Sequence, residues 1–173
     1  MPDSATAASG PADATREELR REATRAWSDA RSFLFVCLGN VCRSPFAERL
    51  ARRQDAGRHV ISAGHYPVSG RRPPELAVDA AQGFDVDLAS HRSRVLSRGM
   101  VEEADAVFVF DRENYQAVIS HHPGAAERTH QLGALCPEGP LHVADPFGGP
   151  ASHYEDVYHQ IAAAIAAAEQ ARG

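Results

Sequence analysis

The apolar positions of this 173-residue chain fall into two alternating patterns, short unbroken runs and longer stretches repeating every three or four residues. Residues 33–36, Phe-Leu-Phe-Val, form such a run, the mark of a strand buried on both faces of a parallel sheet. Residues 59–62 and 106–110 read as two more strands, and 129–132 as a short last strand at an edge. Helical spacing is expected over 44–54, 75–82, 95–103, 112–120 and 152–172. The last carries a stripe of Tyr154, Val157, Tyr158, Ile161, Ile165 and Ala168. Ser44-Pro45 is expected to open its helix as N-cap and first helical residue, and Gly83 to close another in a C′ position. Thr15-Arg-Glu-Glu18 is a capping-box pattern. It leads a charged helix over 16–31 with Leu19, Ala23, Trp27 and Ala30 on one side. Residues 1–14 lack apolar periodicity and are expected to be disordered. The chain thus divides into a disordered 1–14, a helical extension 15–31 and an α/β domain 32–173 with a parallel sheet.

The link between the first strand and its helix carries the candidate chemistry. It reads Cys-Leu-Gly-Asn-Val-Cys-Arg-Ser over residues 37–44. A loop that feeds a helix N-terminus presents backbone N–H groups and the positive end of the helix dipole, a site for an oxyanion. Gly39 permits close approach and positive φ, and Asn40 is among the few other residue types that tolerate the left-handed region. With Leu38, Val41 and Cys42, these residues form an anion nest. Arg43 can grip two oxygens at once. Cys37 ends the strand with its sulfur in the same cradle, where amides, dipole and Arg43 favour the thiolate. Ser44 can hydrogen-bond that sulfur. The chemistry implied is phosphoryl transfer through a phosphocysteine. The bare Cys-x5-Arg spacing is weak in a chain with 3 Cys and 18 basic residues, so the weight rests on the whole string.

That string, Val-Cys-Leu-Gly-Asn-Val-Cys-Arg-Ser-Pro, resembles the phosphate loop of the low-molecular-weight protein tyrosine phosphatases. The resemblance covers about 33–168. It implies a four-stranded parallel sheet with helices on both faces, here with an extra N-terminal helix. It also implies hydrolysis of protein phosphotyrosine without metal or other cofactor. Carried over residue by residue, Ser62 of Ser-Ala-Gly and His91 support Asn40. Asp145 of Asp-Pro-Phe is the general acid and then the base, with Phe147 beside the substrate ring. Tyr66 stands near the family's usual aromatic wall, on a loop shorter by about one residue. Gly148 replaces a second aromatic found in some members. Phe110 stands where the family usually has Met, before Asp111, which orients loop groups or caps the next helix. Cys42 is a candidate redox partner of Cys37. The partner implied is a phosphotyrosine-bearing protein, for which family analogy offers a bacterial tyrosine kinase or a host protein.

Composition narrows the field. A net charge of −5 with no basic run argues against nucleic acid and anionic membranes. The sequence has no 18-residue apolar stretch and no signal-peptide core at its start. An odd cysteine count argues for a reducing, cytoplasmic setting. The nine His are scattered without metal-site spacing, so no metal is expected. Two alternatives stay open at this level. Arsenate reductase shares the loop, but residues 111–123 lack the relay cysteines and Cys136 stands alone. A non-catalytic phospho-binding module would have lost Cys37, Arg43 or Asp145, and all are present. The oligomeric state is not legible.

Overall fold

The computed structural model describes residues 14–173. The disorder expected for 1–14 lies, Ala14 apart, outside the described residues. Helix α1 (Arg16–Asp29) leads into β1 (Ser32–Cys37), α2 (Arg43–Gln54), β2 (His59–Gly64), α3 (Glu75–Gln82), α4 (Arg98–Glu103) and β3 (Ala106–Val109). Then come α5 (Arg112–His121), β4 (Thr129–Gln131) and α6 (Ala151–Arg172), with 3₁₀ turns at Pro123–Arg128 and Leu132–Leu135 flanking β4. The strands form one parallel sheet in the order β2-β1-β3-β4.

The unbroken apolar runs follow from cover on both sides. Phe33, Phe35 and Phe108 face a core shared with α1, α2, α3 and α6. Leu34, Val36, Val107 and Val109 alternate with them to the opposite face, against Val101 of α4 and Val118 of α5. Burying one such side chain contributes roughly 1.5–3 kcal/mol, so the two layers hold the sheet between them.

Helix α1 has the expected capping box, Thr15 accepting from the Glu18 N–H and Glu18 reaching back to Thr15. Its apolar face, with Ala23 and Trp27, is buried in the core. Trp27 is 0% exposed and stacks on Phe33 with centroids 4.6 Å apart. Its indole N–H donates to Glu169 of α6 at 2.8 Å. The Arg58 guanidinium lies over both rings, 5.7 Å from Trp27 and 4.8 Å from Phe33.

Two end signals differ from expectation. Helix α2 starts at Arg43, with Cys42 as an N-cap that makes no side-chain bond, because the Ser44 hydroxyl is used inside the loop. Gly83 is right-handed at φ −62°, and the positive φ falls on Asp85 instead. Two arginines of α2 are tied to neighbouring backbone carbonyls. Arg52 donates to the Val60 carbonyl, and Arg53 to those of Phe84 and Asp85.

Candidate active site

The site lies at the C-terminal edge of the sheet, where β1 ends at Cys37 and the loop 38–42 turns into α2. Asn40 organises this loop. It is fully buried with φ 54°, a conformation costly for a non-glycine residue unless its surroundings enforce it. Every polar group of Asn40 is engaged. Its Nδ2 donates to Ser44 Oγ at 2.8 Å and Ser62 Oγ at 2.9 Å. Its Oδ1 accepts from the Arg94 N–H at 2.9 Å. Its carbonyl is bonded by His91 Nε2 at 2.8 Å, which fixes that nitrogen as the protonated one. Its own N–H reaches Cys37 Sγ at 3.3 Å.

The loop also rests backbone to backbone on β2. A Cβ on Gly64 would come within 2.7 Å of the Leu38 carbonyl oxygen and 2.9 Å of the Asn40 nitrogen, so only glycine fits there. The next residues continue the seam, His65 and Tyr66 donating to the Cys37 and Leu38 carbonyls.

Cys37 Sγ lies 2.9 Å from Ser44 Oγ. That oxygen already accepts from Asn40, which leaves its own hydrogen for the sulfur. Arg43 is 1% exposed. Its Nη1 donates to Asp111 Oδ2 at 2.6 Å and to the Val143 carbonyl at 2.9 Å, while Nη2 stands 3.6 Å from Asp145 Oδ2. Burial opposes its charge, but Cys37, Asp111 and Asp145 together outweigh that and hold its pKa above the ordinary value. The Arg43 Nε makes no hydrogen bond among the described residues. Asp111 both orients and caps: its Oδ1 accepts from the Asn114 N–H at the start of α5.

Asp145 comes from the loop before α6, and its Oδ1 accepts from the Phe147 N–H at 3.1 Å. A cleft of about 230 Å³ joins these parts. Cys37, Arg43 and Asp145 line it, with Leu38, Val41, Tyr66 and Phe147 as apolar walls. Tyr66 and Phe147, 45% and 56% exposed, stand at its mouth. Ser62 and His91 lie beneath, on Asn40. Sequence reasoning missed three contributors. The Val143 carbonyl and Arg94 N–H act through backbone and leave no side-chain signal. Arg71 also lines the cleft, and the sequence shows it only as one of two adjacent arginines in a loop.

Comparison with known proteins agrees with this geometry. The family model for low molecular weight phosphotyrosine protein phosphatases matches residues 32–170. The chain belongs to that family. The phosphatase is 32% identical to a probable low molecular weight protein-tyrosine-phosphatase, EpsP, of Ralstonia nicotianae, over 76% of this chain and 88% of the relative. It is also 32% identical to a protein-arginine-phosphatase of Geobacillus stearothermophilus, over 70% and 82% of the two chains. Among solved structures, the tyrosine phosphatase AmsI of Erwinia amylovora superposes with a TM-score of 0.77 at 28% identity, over 82% of this phosphatase and 93% of AmsI. Helix α1 of the phosphatase precedes the matched region.

Proposed function

We propose that this phosphatase hydrolyses protein phosphotyrosine through a phosphocysteine on Cys37. One observation carries the reading: Cys37, Arg43 and Asp145 line a single cleft over a loop whose strained Asn40 is bonded at every polar group. The Cys37 thiolate attacks phosphorus in line with the phenolic oxygen. The S–P bond forms as the P–O bond breaks, and Asp145 gives its proton to the leaving phenolate. Arg43, through Nε and Nη2, and the amides of the loop take up charge on the equatorial oxygens. Asp145, now a carboxylate, removes a proton from the water that attacks phosphocysteine, releasing phosphate and restoring the thiolate. Ser44 stabilises the sulfur as it leaves.

The walls favour a phenyl ring. Leu38, Val41, Tyr66 and Phe147 are apolar or aromatic, and Arg71 beside them is a cation that opposes a phosphoguanidinium. The substrate is a phosphotyrosine-bearing protein, a bacterial tyrosine kinase or a host protein. Its proposed setting is the reducing cytoplasm, which keeps Cys37 reduced. No helix among the described residues is long and apolar enough to cross a membrane. Cys42 is the proposed partner of an oxidised Cys37. Burial first, then the Cys37 and Asp145 charges, push its thiol far up, so it rests protonated and must lose that proton to react.

The test is steady-state hydrolysis of a phosphotyrosine peptide and a phosphoarginine peptide, with chelator present. The expected result is chelator-resistant turnover of phosphotyrosine well above phosphoarginine. Cys37→Ser should abolish it, and Asp145→Ala should slow it about 10²–10⁴-fold, the usual worth of a general acid. Retained turnover in Cys37→Ser, or faster phosphoarginine cleavage, overturns the reading.

A further inference from the structure

Arg71 is a charged group at the mouth of the cleft that the chemical steps do not use. Its guanidinium carbon lies 5.2 Å from the Tyr66 ring centroid and 5.8 Å from that of Phe147. It therefore bridges the two aromatic walls that flank the entrance. Its Nη1 rests on Gly39, 3.0 Å from where a side chain there would begin, so the missing side chain makes its room. The backbone beneath is clamped. The Arg71 N–H donates to Ser93 Oγ, the Ser93 N–H donates to the Arg71 carbonyl, and the Gly70 N–H donates to the Ser93 carbonyl.

The guanidinium itself has no hydrogen-bond or acidic partner among the described residues. By contrast, Arg43, which also lines the cleft, is paired with Asp111 and Asp145. Among the described residues, the one carboxylate lining the cleft, Asp145, faces Arg43. Nor does Arg71 reflect a generally basic surface, since the chain carries a net charge of −5. A fixed cation beside the ring slot lies where the peptide around a bound phosphotyrosine must pass.

We propose that Arg71 determines sequence specificity, pairing with a carboxylate that flanks phosphotyrosine in the substrate. This rests on the phosphotyrosine phosphatase reading above. The side chain is preorganised by stacking, so little rotamer freedom is lost on pairing. Because the pair forms at a partly exposed rim, its effect is modest and fades with salt.

The experiment compares kcat/KM for three phosphotyrosine peptides that differ only in flanking Asp/Glu, Gln or Lys, using wild type, Arg71→Gln and Arg71→Glu. Wild type is expected to favour the acidic over the neutral peptide by about fivefold, the scale of one rim ion pair. The ratio should shrink at high ionic strength. Arg71→Gln should bring it close to one, and Arg71→Glu should turn the preference toward the Lys peptide. A wild-type ratio near one overturns the proposal. So does an equal slowing of all three peptides by both variants, which would assign Arg71 to bracing the walls or to the phosphoryl group itself. Wild type that hydrolyses none of the peptides overturns the phosphatase reading and this inference with it.

Discussion

At the scale of single residues, Asn40 separates two contributions that are usually entangled. Asn40→Ala removes the bonds to Ser44, Ser62 and the Arg94 N–H and also puts a Cβ without local compensation at φ 54°. Asn40→Gly removes the same bonds but suits the backbone. Glycine is therefore expected to be the milder change, by about 1 kcal/mol in urea denaturation, the left-handed cost of an ordinary residue. Both variants should lose turnover, because each removes the side-chain bonds to Ser44, Ser62 and the Arg94 N–H that hold the loop around Cys37 Sγ. Equal midpoints for the two would show that the strain is negligible. The structure brings the Cys37–Ser44 string, Asp145, Ser62 and His91 together, and each stands out in the sequence because it is a side chain in a pattern. The Asp111–Arg43 contact was half legible: an aspartate ending a strand suggests a cap, but its second oxygen finds Arg43 only through the fold. Arg71 was not legible as a site residue. Its place depends on a loop folding back over Gly39, and no local pattern encodes that approach.

At the scale of elements, α1 is the distinctive part. It lies outside the matched family region yet supplies Ala23 and Trp27 to the core. Trp27→Ala is expected to destabilise the protein by about 3–5 kcal/mol, because the cavity opens against Phe33, Phe35 and Phe108. Thermal unfolding measures this, and an unchanged melting temperature would show that α1 merely lies on the surface. Apolar runs and helical stripes placed the main strands and helices to within a few residues, since both sheet faces are covered and the runs have nothing to interrupt them. The 3₁₀ turns around β4 escaped because single turns are too short for a period. The start of α2 also misled. A serine before proline reads as a cap, but here tertiary contacts claim its hydroxyl and the N-cap falls two residues earlier, on Cys42.

At the scale of the whole molecule, one buried and two half-buried histidines shape the response to acid. Burial lowers His130 to about 4, and it also lowers His65 and His91. A depressed histidine means that the unfolded chain takes up protons first. The stability contribution is complete above about 6.5 and is lost as pH falls from there toward the folded values. For His130 the loss is on the order of 3 kcal/mol. Glu48 acts oppositely, since burial raises its pKa and acid relieves that cost, but it is one group against three. The melting temperature should therefore fall between pH 7 and pH 5, and His130→Phe should flatten the slope. A flat wild-type profile in calorimetry would contradict this. The loop that rests on Gly64 has a kinetic consequence. Its backbone is wedged against β2 and its asparagine is fully bonded, so the cradle has its shape before any anion arrives. An oxyanion such as vanadate should then dock in one step. Stopped-flow traces should be single-exponential, with a rate linear in concentration and no plateau from a slow isomerisation.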